Sequence, residues 1–153
     1  MQNKRYIAID PDISYTAIAV FKNGKFKTYT KNIGESLVSF AKTDFLNTIF
    51  RVEAGWLNQS NWHTKESDSP KIAAEIGRRT GENHGAGKVI VQFLIAIDAQ
   101  IELVKPKDSK PQRMKIAKEF LPNIKSQEEA DAFYLLRDLI PKVTNIKNTK
   151  NKV

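Results

Sequence analysis

The sequence predicts an α/β protein: a mixed five-stranded sheet, an antiparallel meander plus parallel strands, flanked by helices. Three observations lead there. The first thirty residues hold three short strand-like runs, the last two joined by Asn23-Gly24, a strong two-residue hairpin signal. Apolar residues at helical spacing then precede a fourth strand-like run, Thr48 to Glu53, and a strand–helix–strand order implies a right-handed crossover onto a parallel neighbour. Finally, Ser109 and Ser126 stand where helix N-caps are expected, each ahead of an apolar face with period 3.6.

Taken in order, Arg5 to Asp10 is the first strand, and Pro11, which cannot pair in a central strand, ends it. Tyr15 to Phe21 and Lys25 to Thr30 complete the meander. Leu37, Val38, Ala41 and Phe45 predict a helix over about 35–46, and Thr48 to Glu53 follows as strand four. Residues 55–68 form a polar loop holding Trp56, Trp62 and His63. From Pro70 to about Ile97 the pattern is helical, but Gly77, Gly81, Gly85 and Gly87 leave two readings: one helix with a small-residue face, or two helices joined by a loop that includes His84. Residues 98–104 make the fifth strand. Ser109 caps a helix with Pro111 in its first turn and Met114, Ala117, Phe120 and Leu121 on its apolar face. Ser126 and Glu129 form a capping box, opening a last helix expected to run to Pro141.

With 153 residues the chain suffices for one domain, expected over 1–141; the tail 142–153, with four lysines and three asparagines, reads as basic and disordered. No cysteine is present, which excludes disulfides and thiolate-metal sites and suits a reducing cytoplasm. No apolar run reaches the length of a membrane span. The net charge of +8 favours a polyanionic partner, most simply nucleic acid.

Against that basic background a few acids occupy pointed positions. Strands one and four, if parallel neighbours, set Asp10 and Glu53 side by side at the carboxyl edge of the sheet, where open α/β sheets build their sites. A strand-end carboxylate either caps a turn or has a cation to face, since burying an unpaired charge is costly. On the last helix Glu128 and Asp131 share a face, and Glu129 is committed to the cap; acids in a first turn also simply complement the helix dipole. Together Asp10, Glu53, Glu128 and Asp131 are an all-oxygen donor set suited to Mg²⁺ or Mn²⁺. Four such acids can hold two ions about 3.5–4 Å apart, an arrangement that hydrolyses phosphodiesters by in-line displacement.

The ordered motifs resemble those of the RNase H-like nucleases, and within them the RuvC-type Holliday junction resolvases. Ile7-Ala8-Ile9-Asp10-Pro11 resembles the opening apolar strand with Asp-Pro, and Val52-Glu53 the second acidic strand end. Gly77-Arg78-Arg79-Thr80-Gly81 resembles the glycine-bearing helix, and Glu128-Glu129-Ala130-Asp131-Ala132 the final acidic pair. The likeness spans about residues 4–140. Asp12 and Ala17 stand where the family usually has glycine, and Glu128 where it often has Asp or His.

The resemblance implies an RNase H-like fold and a divergent, possibly phage-type resolvase. Its metal ligands would be Asp10, Glu53, Glu128 and Asp131, holding two Mg²⁺ or Mn²⁺ ions. Lys110, with Lys105 or Lys107, would hold the scissile phosphate. Trp56 either stacks on a base near the junction or anchors its loop; Arg78 and Arg79 are further DNA-binding candidates. The partners implied are four-way branched DNA and a second copy of the chain, with the glycine-bearing helix as the dimer face. Competing expectations are an RNase H-like nuclease for flaps, forks or RNA, a non-catalytic nucleic-acid-binding module, and, last, an actin-like ATPase fragment, for which a phosphate-binding glycine loop is lacking.

Overall fold

The structure, a computed structural model, describes residues 4–58, 65 and 67–140. The tail 142–153, Trp62 and His63 lie outside the described residues. The sheet has five strands in the order β3-β2-β1-β4-β5. β1 (Arg5–Asp10), β2 (Thr16–Lys22) and β3 (Lys25–Lys31) form the antiparallel meander. Asn23 and Gly24 both have positive φ, 52° and 75°, as a tight primed hairpin turn requires. After α1 (Ile33–Ala41), capped by Asn32, the chain returns as β4 (Thr48–Glu53), parallel to β1 with Ile9 beside Val52. β5 (Gln100–Val104) lies parallel to β4 on its other side.

Strand alternation sorts the core into two layers. Ile7, Ile9, Ile18, Phe50 and Val52 face one way and pack with Phe40 of α1 and with Ile90 and Leu94 of α2 (Pro70–Ala96). Ala8, Ala17 and Ala19 face the other way, toward α3 (Lys110–Phe120) and α4 (Gln127–Tyr134). Alanines on both sides of that second layer, with Ala130 and Ala132 from α4, let the helix come close to the sheet while Phe133 and Leu136 fill the space around them. Asp10 has the same parity as Ala8 and Glu53 the same as Arg51, so both carboxylates belong to the α3–α4 face.

The structure decides between the two readings of residues 70–96 and corrects three expectations, the placement of His84 and the ends of α1 and α4. Residues 70–96 are one continuous helix of 27 residues; Ser69 caps its start, and Gly77, Gly81 and Gly85 face open space. His84 is therefore a helix residue and not a turn residue. α1 ends at Ala41 instead of 46, with Lys42 as its C-cap. α4 stops at Tyr134 well short of Pro141. The reason is Arg51, whose Nη1 donates to the Leu135 carbonyl at 3.0 Å and takes an acceptor that a continuing helix would need; a short 3-10 turn, Arg137–Leu139, follows. No helix among the described residues is long and apolar enough to cross a membrane.

Candidate acid site at the sheet edge

The carboxyl ends of β1 and β4 open into a cavity of about 720 Å³ whose walls include Asp10, Glu53, Glu128 and Asp131. The four acids named from the sequence thus come together from three separate elements. Each is delivered by a local rule. Asp10 is the last residue of β1 before buried Pro11. Glu53 is the last of β4, beside it in the parallel register. Glu128 and Asp131 stand three apart on α4, whose cap is made by Ser126 Oγ accepting from the Glu129 amide at 3.2 Å. Glu129 is buried and occupied, its Oε2 accepting from the Lys125 amide at 3.1 Å. Glu128, exposed, is left to border the cavity.

The electrostatics are those of like charges held together. Burial, then Glu53 and Asp131, push the Asp10 carboxyl well above the usual carboxylate range, against the opposing pull of Arg113 and Lys110. Burial also raises Glu53; Arg113 and Lys110 lower it and Asp131 adds to the rise. Asp131 is held by Gln127, whose Nε2 donates to its Oδ1 at 2.8 Å and to the Lys110 carbonyl at 3.0 Å, tying α4 to the start of α3.

Arg113 is the residue that sequence reasoning missed. It is 5% exposed, and its Nη1 stands 3.4 Å from Asp131 Oδ1 and 3.6 Å from Glu53 Oε2. Its Nε donates to the Lys107 carbonyl at 2.9 Å, and its guanidinium lies 5.9 Å from the centre of the Tyr134 ring. Tyr134 in turn donates its hydroxyl to the Asp108 carboxylate. The signal was present: Arg113 falls four residues before Ala117, so a cation sits on the helix's buried stripe.

The other candidates divide. Lys110 lines the cavity with Pro106, Asp108 and Ser109, whereas Lys105 and Lys107 are exposed and do not line it. Arg79 borders the cavity with Asn83 and His84 on α2; Arg78 does not, and its guanidinium is held by Glu75 and Glu82 at 2.7 and 2.5 Å. Trp56 lies in a 3-10 turn, Gly55–Leu57, and lines the cavity. Its ring edge packs over Gly87, near Pro11, and its ring centre is 6.3 Å from that of His84. Asp12 makes a turn, its Oδ1 accepting from the amides of Ser14 and Tyr15.

The donor set suits a hard divalent cation: carboxylates only, mutually repelling and short of counter-charge. Among the described residues no group of three or more His, Asp or Glu stands close enough together to hold one. Arg113 stands between two of the acids instead.

No family model matches the chain, and no curated protein matches it in sequence. Solved structures do match. T. thermophilus RuvC, solved in complex with Holliday junction substrate, is 12% identical with a TM-score of 0.53, over 91% of this chain and 95% of that one. The fowlpox virus Holliday junction resolvase is 13% identical with a TM-score of 0.50, over 90% of this chain and 99% of that one. At such identities the likeness is one of fold, and the fold of this chain is the RNase H-like fold of these two proteins.

Proposed function

We propose that this protein is a metal-dependent, structure-selective endonuclease of the resolvase type, cutting four-way DNA junctions by paired nicks. The observation that carries the reading is the meeting of Asp10, Glu53, Glu128 and Asp131 in one cavity, on a fold shared with two junction resolvases. The net charge of +8 supports a polyanionic substrate.

Asp10, Glu53, Glu128 and Asp131 would hold Mg²⁺ or Mn²⁺, two ions per site. Bound there, such ions activate water and neutralise charge on the phosphate and the leaving oxygen. The chain's own side chains do the rest. Lys110, on the cavity wall, holds the scissile phosphate and offsets the charge that builds on it. Gln127 fixes the aim of Asp131. Trp56, where it borders the cavity, offers a ring for a base displaced at the branch point. Lys105, Lys107 and Arg78, all exposed, contact the DNA backbone outside the cavity, and Arg79 contacts it at the cavity's rim. Two opposed strands need two such sites, which a symmetric dimer acting in the cytoplasm supplies.

The test is cleavage of a synthetic four-way junction with Mg²⁺ or Mn²⁺ by wild type and by Asp10→Asn. Paired symmetric nicks are expected from the wild type. Asp10→Asn is expected to bind the junction with activity down at least about a hundredfold, as when a single preorganised charge is removed from a reacting centre. Binding without cutting under any divalent ion would make the acids structural and the protein a binding module. Cutting of flaps or RNA alone would keep the site and change the substrate.

A further inference from the structure

Asp10, Glu53, Glu128 and Asp131 line the cavity, and so do three side-chain cations, Arg79, Lys110 and Arg113. Of these only Arg113 is buried, and only Arg113 is an ion-pair partner of two of the acids at once. A guanidinium cannot discharge in a protein interior, so Arg113 remains a fixed positive charge between Glu53 and Asp131. Both pairs are longer than ordinary hydrogen bonds, 3.6 and 3.4 Å, while the Nε bond to the Lys107 carbonyl is a normal 2.9 Å. The side chain is therefore anchored from behind by the β5–α3 loop and rests against the acids without being locked to either.

We propose that Arg113 is the resident counter-ion of the acid site, and that a divalent cation binds there in competition with it. The inference rests on the metal-site reading above. A dication drawing on Glu53 and Asp131 must meet the guanidinium's positive charge at close range. The carboxylates have somewhere to turn, since the cavity is open beside them. Arg113 has somewhere to stay, on the Lys107 carbonyl and near the Tyr134 ring. The cost of this arrangement is weaker cation affinity; its benefit is an acid cluster that folds before any cation arrives. It also ties cation binding to the loop that carries Lys107 and leads into Lys110.

Calorimetric titration of the full-length protein with MnCl₂, without DNA, tests this on wild type, Arg113→Gln and Arg113→Lys. Arg113→Gln is expected to bind Mn²⁺ about tenfold or more tightly, because a charge close to the ion has been removed. It should also gain more melting temperature from Mn²⁺ than wild type does. Arg113→Lys, which keeps the charge, should bind as wild type does. Equal affinity in wild type and Arg113→Gln would overturn the competition while leaving the metal site standing. No Mn²⁺ binding by wild type or by Arg113→Gln would overturn the metal site itself. Should Arg113→Gln not fold, the wild type decides alone: its Arg113 Nε–H signal in ¹⁵N NMR is expected to move as diamagnetic Mg²⁺ is added, and an unmoved signal at saturation would refute the proposal.

Discussion

Gly87 is where helix α2 meets the mouth of the acid site, and Gly87→Ala gives a sharp test of that contact. A Cβ built there would lie 2.5 Å from Trp56 Cζ3 and 3.2 Å from both Trp56 Cη2 and Pro11 Cγ. Ordinary carbon contacts are about 3.5–4.0 Å, so the tryptophan ring or the helix must give way by roughly 1 Å. Pro11 directly follows Asp10 and is buried, so it yields little room. Overpacking of this kind costs about 1–3 kcal/mol. It is partly offset, because alanine replaces glycine inside a helix and gains about 1 kcal/mol of propensity. Gly81→Ala and Gly85→Ala isolate the packing part: both add a Cβ to the same helix in open space, so each should stabilise by about 0.5–1 kcal/mol. The difference between Gly87→Ala and these controls is then the overpacking cost of about 1–3 kcal/mol. Urea unfolding measures it. In a Trp62→Phe background, which leaves Trp56 as the only tryptophan, the emission of Gly87→Ala should also shift to the red as the ring is pushed outward. Stability equal to Gly81→Ala with unchanged emission would refute the contact.

Two further outcomes concern the elements that carry the acids. Burial alone would raise the Asp138 carboxyl, but its hydrogen bond with Arg51 and the Arg51 charge outweigh that and hold it below the usual range. An acid lowered by folding contributes stability that is present above its unfolded pKa and lost as pH falls through its folded one. Asp138→Asn should therefore lower stability near pH 7 and converge with wild type in acid. Because the Asp138 side chain is 57% exposed, the deficit should stay under about 1 kcal/mol in urea titrations run across pH. Ser126→Ala removes the cap of α4, and a loss of about 1 kcal/mol by chemical unfolding is expected.

Asp10 and Glu53 were legible in the sequence because their positions depend on strand ends, and Glu128 and Asp131 because a capping box fixes the start of their helix. Both β1 and β4 end where Pro11 and the loop after Glu53 say they should, and parallel pairing of the two needs only a crossover. What escaped depends on contacts between distant residues. The glycines of α2 argue locally for a break, yet Ile90 and Leu94 bury the helix's far end and Arg78 and Arg79 brace its exposed half on Glu75 and Glu82. The early end of α4 is set by Arg51, more than eighty positions away. Arg113 reads as one more basic residue among twenty-five until Glu53 and Asp131 are found on either side of it. Local propensity has no access to any of these.

The acid cavity draws on residues from Asp10 to Asp131, with the last two acids on a helix that closes one face of the sheet. A chain emerging from the ribosome can pair all five strands once Val104 is free, but it lacks half of the donor set until α4 has emerged and settled over Ala8, Ala17 and Ala19. The acid cavity therefore cannot be complete before α4 is in place. A C-terminally shortened chain that stops before α4 keeps Asp10 and Glu53 but loses Glu128 and Asp131, so on the nuclease reading proposed above it should bind nucleic acid without cleaving it.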